Sequence, residues 1–232
     1  MAEPAHQTDQ ALDPSPTPLR RHAPSRPYGH PHGWKFLLMA DLCEQAVRRP
    51  WGPAVMAVGF VHLAFFVVCQ ACYTAGVRAE WVSVALWGSE VAAVLGVMRA
   101  VAGRGWAHES PAVGLILRVW VTFLILSFNA ATLNTLTGWS VDWFKLVWCT
   151  LSSFGFATMS WLFGTRYLVP AFQMYFTGLL MVRFPQWAYL IHGLSWCAAL
   201  QYVGLDLARR RARLIARDAE GDSFAQATTV AA

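Results

Sequence analysis

The sequence predicts an all-α integral membrane protein, a bundle of about six transmembrane helices with a short interfacial helix before the first span. Of its 232 residues, 56% are hydrophobic and only 13% are charged, whereas soluble domains carry roughly 25% charged residues. So few charges do not cover a water-exposed globular surface, and the apolar excess requires lipid. The 12 Trp residues are a second observation, because Trp favours the boundary between hydrocarbon and headgroups.

Long apolar runs account for the predicted spans, since a helix needs about 20 apolar residues to cross the hydrocarbon core. Pro50 precedes the first run, Pro111 the third and Pro185 the last, where proline marks a helix boundary. The fourth and fifth runs are separated only by Thr165 and Arg166, and the fifth is short. The predicted spans lie near 51–73, 81–102, 112–137, 146–164, 167–182 and 186–207.

The segments outside the predicted bundle are polar or amphipathic. Residues 1–33 are rich in proline and polar side chains, a composition that buries too little apolar area to offset its ordering entropy, so we expect a disordered cytoplasmic tail. Residues 34–49 combine apolar and charged side chains at helical spacing, which predicts an amphipathic helix at the membrane interface. Residues 209–232 are expected to form a basic, then disordered, cytoplasmic tail.

The basic residues indicate orientation. The net charge of +5 is concentrated in pairs and triplets of arginine beside apolar runs, which is typical of topogenic signals and not of a nucleic-acid-binding face. With an even number of spans, both termini are expected on the cytoplasmic side of a bacterial-type cytoplasmic membrane. The expected partner is the lipid bilayer; other membrane proteins or further copies of the chain are open alternatives, and no nucleic acid is expected.

Three ionisable residues inside the predicted spans are candidates for function. A carboxylate near the bilayer centre costs several kcal/mol unless it is neutral, paired or hydrated, and Glu90 lies about 14 Å below the outer surface at 1.5 Å rise per residue. By the same count His62 lies about 17 Å from the cytoplasmic surface and His192 about 9 Å from the outer surface. We therefore expect the three side chains to be able to form one buried site for protons or a ligand.

Such a cluster has several chemical uses. Buried His and Glu side chains relay protons or bind a metal, and His62 and His192 together are able to hold the iron of haem b. The alternative is that each histidine hydrogen-bonds a neighbouring helix as packing and that Glu90 is held neutral. The sequence leaves these interpretations open.

Two polar residues of the third predicted span complete the candidates for ligand binding. Arg118 lies about 9 Å inside the span, near enough for its side chain to reach the headgroups, and the alternative is an ion pair with Glu90. Asn129 and its polar neighbours give the outer half of this helix a face suited to a pore or a substrate contact. Hydrogen bonding between helices explains the same residues.

Two further patterns suggest metal ligands. Cys69 and Cys72 form a Cys-x-x-Cys at the outer end of the first span, a spacing that suits a thiol pair or half of a metal site, with packing as the alternative. The tail segment from His30 to Trp34 resembles the His-Gly-Trp elements of copper-binding histidine repeats. The resemblance implies metal binding by His30 and His32, and a solvated linker is the alternative.

The leading functional hypothesis is proton-linked transport or permeation of a small solute, with Glu90, His62 and His192 as the intramembrane site. The alternatives are a non-catalytic subunit or scaffold of a larger membrane complex and a haem-binding redox subunit. No phosphate-binding glycine loop, nucleophile elbow or His-Glu-x-x-His motif occurs in the sequence, so soluble enzyme classes are poor candidates and enzymatic activity is left open.

Overall fold

The computed structural model describes residues 33–77, 79–108, 110–137 and 141–230, and within these ranges the chain is helical and contains no β-strand. The predicted tail of residues 1–33, with His30 and His32, falls outside the described residues except for Gly33. The described α-helices are α1 (Gly33–Arg48), α2 (Trp51–Thr74), α3 (Glu80–Val101), α4 (Pro111–Thr137), α5 (Val141–Phe163), α6 (Leu168–Arg183) and α7 (Ala188–Val230). Short 3-10 helices occupy Trp106–His108, Thr165–Tyr167 and Pro185–Trp187.

Four helices of the described part of the chain are long and apolar enough to cross a membrane, namely α2, α3, α4 and α5. The mean hydropathy of their apolar stretches ranges from 2.1 in α2 to 1.3 in α5. The sequence analysis expects six spans, and length and composition support four. Helix α6 has only 16 residues, and the apolar half of α7 is interrupted by polar side chains such as His192 and Gln201.

The first helix is attached to the ends of α4 and α5. The carboxylate of Asp41 accepts a hydrogen bond from the backbone N–H of Ala112 at 2.8 Å, and Ala112 lies in the first turn of α4, where a negative charge is favourable. Leu42 of α1 packs in a cluster with Ala112 and Phe163. Polar and apolar contacts together fix α1 against this side of the bundle, which we call the α1 end.

A second contact at the α1 end joins the start of α2 to the end of α3. The guanidinium of Arg49 donates hydrogen bonds to the backbone carbonyls of Ala102 and Arg104, where a cation offsets the negative end of the α3 dipole. Gly103 has φ of 86° and Gly105 has φ of 79°, values that glycine adopts without strain. The hairpin of α2 and α3 is thereby closed at this end, and this hairpin carries His62 and Glu90.

Helix α2 and the first half of α7 form the most closely packed pair. They run antiparallel, because Gly52 of α2 approaches Gly204 of α7 while Phe66 approaches Gly193. A Cβ atom on Gly52 would lie 2.7 Å from the carbonyl oxygen of Gly204, so only glycine permits this approach. Beyond this pair, α2 contacts α3, while α7 contacts α6, α6 contacts α5 and α5 contacts α4.

The C-terminal segment continues the last helix. Residues 209–232 are predicted to form a basic, then disordered, cytoplasmic tail, and in the structure α7 runs to Val230 and has 43 residues. The helix contains no proline, and its extension is rich in Ala and Arg, which have high helix propensity. The carboxylate of Asp206 also accepts a hydrogen bond from Arg210 one turn later, at 3.0 Å.

Candidate functional site

Glu90 and His62 are in direct contact inside the bundle. The Oε1 atom of Glu90 on α3 pairs with Nδ1 of His62 on α2. Glu90 is only 6% exposed, and the imidazole supplies the partner that a buried carboxylate requires. The contact arises because the two residues lie at similar depth on neighbouring helices of one hairpin.

His192 lies beside this pair without bonding to it directly. The ring centroids of His62 and His192 are 6.3 Å apart, and the ring of Phe66 lies 4.5 Å from His62 and 4.9 Å from His192. The His192 side chain is buried, and its Nδ1 atom lies 3.2 Å from the Sγ atom of Cys149. The structure therefore brings the three predicted residues together as one pair and one adjacent imidazole.

Aromatic rings form the walls of this site. Trp196 lies 5.0 Å from His62, and Trp148 stacks on His192 at 6.0 Å between centroids. The indole N–H of Trp196 donates to the hydroxyl of Ser152 at 3.0 Å, so this ring is held in a fixed orientation. Rings on several sides exclude water and lower the local dielectric, and in such surroundings a net charge is costly.

One nitrogen of the pair remains available for chemistry. With Nδ1 of His62 on the carboxylate, its Nε2 atom is buried and has no hydrogen-bond partner among the described residues. A buried polar atom without a partner is costly, typically by about 1–3 kcal/mol. The Glu90–His62 pair is thus able to hold one proton between its two groups and to exchange it through Nε2.

The sequence suggests haem b and a metal ion as bound groups, and the structure shows the surroundings of the residues concerned. The imidazole of His62, which the sequence analysis considers with His192 as a possible ligand of haem b, packs against the rings of Phe66 and Trp196. Within the described residues no group of three or more His, Cys, Asp or Glu side chains is placed to hold a metal ion. Cys69 and Cys72 are free thiols, Cys69 buried and Cys72 half-buried.

Arg118 and Asn129 do not join the site. Both side chains are exposed on α4, which packs against α5 and not against the middle of α3. The alternative ion pair of Arg118 with Glu90 is not formed, because the Glu90 carboxylate is paired with His62 on α2. Their exposed positions are consistent with contacts to headgroups, lipid or another membrane protein.

Sequence reasoning missed three buried residues close to the site. Lys145 is 2% exposed, and its Nζ atom lies 3.9 Å from the ring centroid of Tyr73 and 4.7 Å from that of Tyr189. Cys149 is buried beside His192, and Met181 is buried beside Cys149. Lys145 lies just before the predicted span 146–164, yet its helical spacing with Trp148, Cys149, Ser152 and Phe156 places it on the buried face of α5.

Comparison with known proteins identifies no relative of this chain. No family model, no curated protein and no solved structure matches the chain.

Proposed function

We propose that α6 and the first half of α7 complete a six-span bundle in a bacterial-type cytoplasmic membrane, with α1 at the interface and both termini in the cytoplasm. The apolar residues Phe172, Phe176 and Leu179 are exposed along one face of α6, at the spacing expected of a lipid-facing stripe. The 3-10 helix Thr165–Tyr167 leads directly into α6 and extends it at its start beyond 16 residues. The arginine-rich continuation of α7 then lies at the cytoplasmic surface.

This topology is tested with reporter insertions. A fluorescent protein that folds only in the cytoplasm, inserted after Asp218, is expected to be bright, and an alkaline phosphatase at the same point is expected to be inactive. The same reporters in the link after Thr74 are expected to give the reverse pattern. A phosphatase that is active after Asp218 would exclude an even number of spans.

We propose further that the protein performs proton-linked transport or permeation of a small solute, with the Glu90–His62 pair as the proton site and His192 as a neighbouring imidazole. The observation that supports this proposal is the buried carboxylate–imidazole contact whose outer nitrogen, Nε2 of His62, has no partner among the described residues. Ionisable residues inside membrane spans are costly, and they commonly mark proton and substrate pathways.

The net charge of the Glu90–His62 pair depends on how many protons the two side chains hold. In a low-dielectric interior the state with one shared proton is favoured, because carboxylate with imidazolium, or carboxylic acid with imidazole, has no net charge. Adding a second proton, or removing the shared one, leaves one unit of net charge inside the bundle. Arrival or departure of a proton therefore changes the electrostatic energy of the site strongly, which is the property that couples proton binding to a conformational change.

Removal of the carboxylate tests the proton function. In vesicles that contain the purified protein and a pH-sensitive dye, Glu90→Gln is expected to reduce proton flux at least about tenfold. The amide of glutamine neither takes up nor releases a proton beside His62, so the proton-transfer step at this position is lost. Glu44→Gln is the matched control, because Glu44 is exposed and pairs with Arg48 on α1. Equal flux through the wild type and Glu90→Gln, across a range of pH, would refute the proposal.

A further inference from the structure

Three helices bring a thioether and an imidazole into contact with one thiol. The Sγ atom of Cys149 on α5 lies 3.2 Å from the Sδ atom of Met181 on α6 and 3.2 Å from Nδ1 of His192 on α7. The three side chains are 1%, 3% and 2% exposed, respectively. We call this group the Cys-Met-His cluster; it shares His192 with the surroundings of the proposed proton site and contains neither Glu90 nor His62.

We propose that the Cys-Met-His cluster is a binding site for Cu(I). Sulfur ligands of the thiolate and thioether types select soft cations, whereas carboxylate and carbonyl oxygens suit hard ones. Two of the three donors in the cluster are sulfur atoms, and the third is an imidazole nitrogen, which also binds copper. The combination matches Cu(I) better than Mg²⁺, Ca²⁺ or Mn²⁺.

Charge balance favours a monovalent ion at this position. On binding, Cu(I) forms a bond to the Cys149 sulfur, the thiol proton leaves to water, and copper stays in the same oxidation state. The positive ion and one thiolate then cancel, so the occupied site is neutral. A Zn²⁺ ion with the same donors would leave one uncompensated positive charge in the low-dielectric interior, where such a charge is costly.

The surroundings hold the donors in place. Leu146, Ala188 and Ile191 pack around Cys149 and Met181 and form an apolar shell, while Trp148 stacks on the imidazole of His192. An apolar shell limits the access of water and oxidants to a sulfur-rich site. Because each donor comes from a different helix, the ion would also join α5, α6 and α7.

This inference does not rest on the proton function. The cluster uses neither the Glu90 carboxylate nor the His62 imidazole, so Glu90→Gln is expected to bind Cu(I) as the wild type does. A protein that fails in proton flux and still binds copper, or the reverse, separates the two proposals.

Cu(I) binding is measured on the purified full chain under anaerobic, reducing conditions, by competition with a chromophoric Cu(I) chelator. We expect one ion at the cluster. Met181→Leu and Cys149→Ser are each expected to lose at least about tenfold in affinity, since changing residues that only support the ligands already weakens metal sites by about 10–100-fold. X-ray absorption of the bound ion is expected to show two sulfur ligands and one nitrogen ligand. Zn²⁺ is expected to bind more weakly.

Matched variants separate this cluster from the other soft donors of the chain. Met174→Leu and Cys197→Ser change buried residues of the same types outside the cluster and are expected to retain the wild-type affinity. The combined variant Cys69→Ser/Cys72→Ser is expected to retain it as well, as is His30→Ala/His32→Ala. The proposal is overturned if Cys149→Ser and Met181→Leu bind Cu(I) as the wild type does, or if the affinity is lost with Cys69 and Cys72.

Discussion

Gly52→Leu is expected to destabilise the protein by about 3 kcal/mol or more, at the upper end of the range for overpacking, because the new side chain has no space between α2 and α7. A Cβ atom at this position would lie 2.7 Å from the carbonyl oxygen of Gly204 and 2.9 Å from the backbone nitrogen of Ala208. Both are main-chain atoms of a packed helix, so no side-chain rotation relieves the clash. The helices must separate, and the contacts along the whole pair weaken.

The measurement is thermal unfolding in mild detergent, followed by tryptophan fluorescence, together with the yield of monodisperse protein. Gly96→Leu is the matched control, since a Cβ atom at Gly96 on α3 meets nothing within 4 Å. We expect the control to retain a melting temperature close to that of the wild type and Gly52→Leu to lose most of the folded fraction. Similar losses in the two variants would show that the close approach of α2 and α7 does not limit stability.

Hydropathy alone identifies four of the predicted spans. For α6 and α7, hydropathy is not sufficient, because their polar residues or short length must be judged together with the helices that they contact. Helices α2 to α5 carry enough apolar surface to be recognised without their neighbours. Helix α6 is short, and α7 carries polar residues that are satisfied only inside the bundle. Gln201, for example, donates to the backbone carbonyl of Met56 on α2 at 2.9 Å. The hydropathy of such a segment is low because its partners are on another helix, which a single sequence does not reveal.

The sequence predicts the depth of the candidate site residues in the membrane, but not the side of the helix on which each side chain lies in the bundle. Counting residues from the membrane edge places Glu90 and His62 at one level, and they are in contact. The rotation of each helix about its axis is set by tertiary packing, so the same counting did not show that Arg118 faces away or that Lys145 faces inward. Methionine is uncharged and apolar, so the sequence does not distinguish Met181 from other residues of the bundle core. Its contact with Cys149 is visible only in the structure.

The basic clusters show a similar limit. Arginines beside apolar runs were interpreted as orientation signals, and Arg166 and Arg210 also have a structural role, because both donate to the carboxylate of Asp206 at 3.0 to 3.1 Å. One acid between two guanidinium groups joins the Thr165–Tyr167 turn to α7.

His62→Leu is expected to destabilise the protein by about 3–5 kcal/mol, because it removes the partner of a buried carboxylate and leaves Glu90 uncompensated. The loss is expected to be larger than that of Glu90→Leu, which leaves a neutral imidazole with an unsatisfied nitrogen at a cost of about 1–3 kcal/mol. With both residues changed to leucine, no buried polar group of the pair remains. The double variant is therefore expected to be more stable than His62→Leu alone.

A double-mutant cycle on the melting curves isolates the coupling between the two residues, which we expect to be about 1.5–3 kcal/mol. The control cycle uses Arg48 and Glu44, an ion pair at 2.5 Å whose side chains are 64% and 49% exposed, for which a coupling below about 1 kcal/mol is expected. Strict additivity of His62→Leu and Glu90→Leu would mean that the carboxylate finds another partner when the imidazole is absent. Coupling confined to the buried pair would show instead that burial, and not distance alone, makes the Glu90–His62 contact strong enough to control where a proton resides.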